Sequence, residues 1–352
     1  MRNYLTTRGR IKVPFGRVMV AKTTHLGDLV ISLPLAAAIK RHDPNCTVIY
    51  LTNRSTVDVA RHCSDIDEVY AEPDSPKDLL ALLVKLDIDI FVQVNCARSV
   101  AKAAALAAIP VRIGSTYRLY NFLFCTELVP ISRLSAGLNK RQLDLQYLRP
   151  LGIEAGLTAN SEMPPRRSPS LLVAKAALIH PRQFAGRTFM IILSPSLITA
   201  RAHQWPLEAF SSLIRRLDPD QFHWFICGVS GERNRLLPLL SAHLHDSNVT
   251  DMVGKLSLNE FISFTSECDG LIAGSTGPLH LAAALGINAL GLFASNDAEI
   301  RRWRPIGPKA SVIYSSVNCK LPKPLYDASD ACPCIVAIDP ASVAARVQSW
   351  FP

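Results

Sequence analysis

Two hydrophobic rhythms take turns along this chain of 352 residues. Short apolar runs rich in Val, Ile and Leu read as buried strands. Between them come longer stretches whose apolar residues recur three or four apart, the spacing of a helix with one buried face. The first half predicts a strand over 16–22, a helix from Leu29 to about Arg41, a strand over 47–51 after the Asp43-Pro44-Asn45 turn, and an extended element ending at 66–70. A helix over 77–86, a strand over 88–94, a helix over 101–108 and a strand over 111–114 follow. Such alternation predicts an α/β fold with a parallel, doubly wound sheet whose ligands bind at the carboxyl ends of the strands.

The pattern breaks at 158–170, a polar, proline-rich stretch that reads as a linker. Past it the alternation resumes, with strands at 189–193, 224–227 and 289–293 and helices after Trp205-Pro206, Glu232 and Ser257. Two Rossmann-like domains, 1–157 and 171–352, with an interdomain cleft for small ligands, are therefore expected. The most informative stretch is 271–286. A buried strand, taken with Cys268 to Gly270 before it, stops at Gly274, and a helix over 279–285 is stopped by Gly286. In the turn between them Ser275 and Thr276 are expected to cap the helix, Gly277 lets a ligand approach the backbone, and Pro278 fits the first helical turn. Such a helix start suits phosphate or another anion, because backbone N–H groups and the positive end of the helix dipole point the same way.

Composition changes the picture only in part. With 49% hydrophobic and 19% charged residues the chain is globular, and its length favours two cores over one. Its net charge of +9 calls for an anionic partner: a phosphorylated substrate, an acidic membrane surface or nucleic acid. Scattered basic residues without an aromatic-interleaved motif argue against nucleic acid. No apolar leader or bilayer-length run is visible, so a cytoplasmic location is expected, reducing enough to keep nine cysteines as buried thiols. Cys319, Cys332 and Cys334 include no Cys-x-x-Cys pair, and the sequence supplies no fourth ligand beside them, so no metal is expected.

The 23–28 loop holds a single glycine and lacks both the G-x-G-x-x-G and G-K-[ST] patterns, so neither NAD nor ATP hydrolysis is indicated, and no cofactor is expected. The triplets Asp65-Ile-Asp67, Asp87-Ile-Asp89 and Asp218-Pro-Asp220 abut strands or turns and are discounted as metal sites. From the residues alone, Asp28 is either a general base or the cap of a helix beginning at Leu29.

Several motifs together carry a family resemblance. They are Thr-x-x-Leu-Gly-Asp with its downstream Pro and Lys (Thr23 to Lys40), the Trp205-Pro206 pair, Gly228-x-x-Gly-Glu232, the run beginning at Ser275, and Trp303-x-Pro-x-Gly307. In this order they resemble glycosyltransferase family 9, the ADP-heptose:lipopolysaccharide heptosyltransferases and their relatives. The resemblance implies a GT-B fold of two doubly wound lobes and a metal-independent, inverting transfer, with the acceptor held by the first domain and the nucleotide-sugar donor, ADP-heptose, by the second. It implies Asp28 as base; Thr23, Thr24, His25 and Gly27 near the acceptor or diphosphate; and Ser194, Arg201, His203, Glu232, Ser275, Thr276, Gly277 and His280 as donor-binding residues. A lipopolysaccharide-type acceptor implies peripheral contact with the inner face of the cytoplasmic membrane. Two departures bear on the donor: Ser275 stands where many heptosyltransferases have Asp, and His203 where many have Lys. The alternatives are a family member transferring another sugar and a catalytically inactive nucleotide-sugar-binding protein.

Overall fold

The computed structural model describes residues 14–131, 137–154, 189–195, 201–319 and 331–351, without the side chains of Met190 and Arg201. The expected linker at 158–170 lies outside the described residues. The chain divides into two compact units, Met1–Leu172 and Val173–Pro352.

In the first unit six strands are described: β1 (Arg17–Lys22), β2 (Thr47–Thr52), β3 (Glu68–Ala71), β4 (Ile90–Gln93), β5 (Val111–Ser115) and β6 (Glu127–Val129). They form one sheet in the order β3-β2-β1-β4-β5-β6, every pairing parallel. The second unit repeats the plan with β7 (Phe189–Ser194), β8 (Phe222–Ile226), β9 (Val249–Asp251), β10 (Gly270–Ala273), β11 (Asn288–Leu292) and β12 (Ala310–Ile313). Their order is β12-β11-β10-β7-β8-β9, again parallel throughout. Central strands buried on both faces need unbroken apolar sequence, and Val18, Met19, Val20 and Ala21 of β1 are fully buried, as are Leu271, Ile272 and Ala273 of β10.

Local structure departs from the sequence expectation in three places. The expected helix over 29–41 is two helices, Leu26–Ser32 and Pro34–His42. Pro34 has no N–H to continue the helical ladder, so the chain restarts there with Pro in the first turn. Asp28 consequently lies inside the first turn of the earlier helix, whose N-cap position is His25, and does not cap it. The helix after β10 starts earlier than expected, at Gly277, and still ends at Gly286 in the left-handed conformation. Its cap differs too. Thr276 takes the N-cap position without capping by its side chain, its hydroxyl donating instead to the Gly274 carbonyl at 3.4 Å, and Ser275 is exposed. Finally, Cys268 ends the preceding helix and is not part of β10.

Candidate active site

The loop leaving β1 carries the first group of residues. Lys22, the last residue of β1, has a side chain only 1% exposed, and its ammonium donates to Asp28 Oδ1 at 3.3 Å. Asp28 keeps 25% of its side chain exposed. A second cation comes from far along the chain: Lys140 opens the Lys140–Leu145 helix, and its Nζ lies 3.9 Å from the same Asp28 oxygen. Lys140 also pairs with Asp144 one turn on, a carboxylate 1% exposed whose Oδ2 is buried without a hydrogen-bond partner. Two buried ammonium groups and one buried carboxylate thus back one partly exposed carboxylate.

These charges are not alike in their environment. Burial by itself would lower the Lys22 ammonium, but Asp144 and Asp28 overcome it and hold Lys22 above the ordinary lysine value. For Lys140 burial wins, aided by repulsion from Lys22 and opposed by Asp144, and the group is pulled below the ordinary value. Around them, His25 is exposed while Thr23, Thr24 and Gly27 are part-buried. The Thr24 hydroxyl oxygen is buried and has no partner, an arrangement that costs about 1–3 kcal/mol unless a water or ligand supplies one.

In the second unit, Ser194 ends β7 and pairs in register with Ala273, the last residue of β10. The Gly274–Thr276 turn therefore emerges beside Ser194, and the Gly277–Leu285 helix follows it. His280 lies one turn into that helix and is buried. Gly307 explains the second half of the Trp303-x-Pro-x-Gly pattern: a methyl group there would overlap the carbonyl oxygen of Ala283, so only glycine allows this backbone to lie against that helix. Glu232 folds back on its own turn, Oε2 accepting the Val229 N–H at 2.8 Å, and a methyl at Gly228 would lie 2.9 Å from that oxygen. The Gly228-x-x-Gly-Glu motif is thus in part a device for seating the carboxylate. Arg201 belongs to the Arg201–His203 turn, and its side chain lies outside the described residues.

His203 ends the same turn. It is buried, burial pulls its imidazole below the ordinary value, and Nε2 lies 3.4 Å from the Cys319 thiol. Cys332 lies 3.8 Å from Cys319, and Cys334 donates to Cys332 at 3.0 Å. The fold therefore supplies a fourth group that the spacing of the three cysteines could not reveal. Each Asp-x-Asp triplet has a structural use: Asp67 accepts from Lys40 and the Val48 N–H, Asp89 from the Arg17 N–H, and Asp218 from the Asp220 N–H.

Sequence reasoning missed Lys22, Lys140 and Asp144. A lysine closing an apolar strand was the one available signal, since a buried ammonium needs anionic company.

Comparison with known proteins shows what the chain is similar to. Residues 154–325 match the family described as Glycosyltransferase family 9 (heptosyltransferase). A Haemophilus influenzae protein provisionally described as a glycosyltransferase is 24% identical over 307 residues, covering 82% of this chain and 86% of that one. The solved Escherichia coli ADP-heptose lps heptosyltransferase II superposes with a TM-score of 0.80 at 17% identity, over 95% of this chain and 98% of that chain. Escherichia coli heptosyltransferase WaaC with ADP-2-deoxy-2-fluoro heptose gives 0.66 at 16% identity, over 95% and 99%. The fold is that of these enzymes, the GT-B type.

Proposed function

From a chain that carries a glycosyltransferase family 9 domain over residues 154–325, we propose an inverting heptosyltransferase that moves heptose from ADP-heptose to a lipopolysaccharide-core acceptor. The bond that forms joins an acceptor oxygen to the sugar's anomeric carbon. The bond that breaks joins that carbon to the diphosphate, and the acceptor's proton goes to Asp28.

The observation that carries this reading is the Asp28 carboxylate, part-exposed at the carboxyl end of β1 and backed by the ammonium groups of Lys22 and Lys140. A base must be ionised and reachable. Buried cations favour the first, and the exposed quarter of the side chain meets the second. The unpartnered Thr24 hydroxyl in the same loop supports a ligand contact there, with Thr23, His25 and Gly27 beside it.

The leaving diphosphate falls to the second unit. The Gly277–Leu285 helix begins without a side-chain cap, so its first N–H groups and dipole suit an anion. Ser275, Thr276, Gly277 and His280 hold the diphosphate with Ser194 alongside, and Arg201 supplies a charge that stays positive at any working pH. This set neutralises the diphosphate without a metal ion. Glu232 accepts from donor ribose hydroxyls. Donor sugars other than heptose form the second reading, favoured by the exposed Ser275 at a position that many heptosyltransferases fill with Asp.

A nucleotide panel tests the donor. ADP is expected to raise the melting temperature above the shifts given by UDP, GDP and CMP, since a ligand that binds only the folded state stabilises it. Mass spectrometry of the acceptor after incubation with ADP-heptose is expected to show one added heptose. Stabilisation by ADP with no transfer from any ADP-sugar to any acceptor tested would leave a binding protein, and stabilisation by UDP alone would replace the donor.

A further inference from the structure

We propose that His203, Cys319 and Cys332, with Cys334 completing the set, form a tetrahedral zinc site that fastens the turn before Trp205 to the carboxyl-terminal segment of the second unit.

The distances carry it. With a Zn–S bond of about 2.3 Å and a Zn–N bond of about 2.0 Å, tetrahedral angles place two sulfur ligands about 3.8 Å apart and a sulfur and nitrogen about 3.5 Å apart. Cys319 Sγ and Cys332 Sγ are 3.8 Å apart, and Cys319 Sγ and His203 Nε2 are 3.4 Å apart. The three donor atoms all lie within 4.8 Å of one another. Cys334 Sγ lies 3.0 Å from Cys332 Sγ but outside the group of three donors, so it takes the fourth vertex only by turning toward them. Three sulfurs and one imidazole in tetrahedral array suit zinc, with iron as its main competitor, and a set closed by four protein ligands is structural, not catalytic.

The surroundings are built for it. Cys332, Cys334 and His203 are buried. The two cysteines belong to the apolar core that includes Trp205, Ile335 and Ile338. The ligands are held from behind by backbone hydrogen bonds, as ligating side chains commonly are. The Cys332 N–H donates to Ala202, next to His203, at 2.7 Å, and the Cys319 N–H donates to Ser295 at 3.0 Å. Ser315 donates to the Cys334 carbonyl at 2.7 Å, and Ser295 to the Ser315 carbonyl at 2.6 Å. The ion would thus tie the Arg201–His203 turn, the loop after β12 and the segment opening at Cys332 into one piece. His203 is the one ligand that the family resemblance also implies at the donor; the three cysteines take no part in the sugar-transfer reading.

Elemental analysis of the full-length protein, purified without chelator from zinc-supplemented medium, tests this. About one zinc per chain is expected, retained through gel filtration, lost in Cys319→Ser/Cys332→Ser and kept in Cys125→Ser. Should the double variant fail to fold, the wild-type chain still decides. A strong chelator is expected to lower its melting temperature and zinc to restore it, and Co²⁺ refilling is expected to give the intense visible bands of a tetrahedral thiolate complex. Three results would overturn the site: protein without stoichiometric metal whose melting temperature ignores both chelator and zinc; a disulfide joining any two of Cys319, Cys332 and Cys334 in freshly purified protein; or iron in place of zinc.

Discussion

The Lys22 ammonium, at the buried end of β1, lies 3.3 Å from the carboxylate of Asp28, while a quarter of the Asp28 side chain remains exposed. One oxygen of the acid is therefore held by a buried cation while part of its side chain reaches the surface.

Asp28→Asn keeps the shape and removes the base. Its turnover is expected to fall at least about a hundredfold, the usual scale for a positioned general base, with the ADP affinity unchanged. Steady-state kinetics beside ADP titration checks this, and near-normal turnover would reduce Asp28 to a partner of Lys22.

Lys22→Met leaves Asp144 and Asp28 short of a cation. Breaking a buried pair from one side is expected to cost about 3 kcal/mol of stability. The pH dependence follows from Lys22 being held above 10.5 in the folded protein. A group raised on folding stabilises fully below its unfolded value and loses that contribution as pH rises through the folded one. Denaturant unfolding of wild type and variant should therefore differ by a constant amount up to about pH 10 and converge only above 10.5. Convergence already near pH 8 would mean that Lys22 is not held charged by its neighbours.

Gly307→Ala places a methyl group on the Ala283 carbonyl. Backbone cannot yield as a flexible side chain does, so a loss of about 2–4 kcal/mol is expected, together with weaker ADP binding because the displaced helix is the one that begins at Gly277. Loss of stability with unchanged ADP affinity would separate this helix from the donor.

Docking to an acidic membrane is tested by sedimentation with vesicles. Among the described residues no helix is long and apolar enough to cross a membrane. Arg2, Arg8, Arg10, Lys12 and Arg17 crowd the amino terminus of a chain with net charge +9. Each basic residue near an anionic surface contributes about 1 kcal/mol. Co-sedimentation with anionic vesicles at low salt, release at about 0.5 M salt and much weaker binding after deletion of residues 1–14 are expected. Equal binding to neutral vesicles would dismiss the electrostatic account.

The sheet plan was legible because parallel central strands need apolar runs, and runs such as 17–22 and 270–273 admit few other readings. The 23–28 and 274–280 stretches were legible as turns into helices because each follows such a strand. The partners of Asp28 were not. Lys140 and Asp144 belong to a helix more than a hundred residues on, and no local pattern couples a helix surface to a distant loop. The His203 and Cys319 pairing escaped for the same reason. The break at Pro34 was readable and was passed over, because the apolar spacing continues across it while the missing N–H interrupts only the backbone.

Both sheets share one strand order, so β1 corresponds to β7 and β4 to β10. Laid on that common plan, the proposed base and the proposed phosphate-binding helix are not counterparts: the base follows a first strand, the helix a fourth. On the proposed reading, the two units thus place their chemistry after different strands of one common plan.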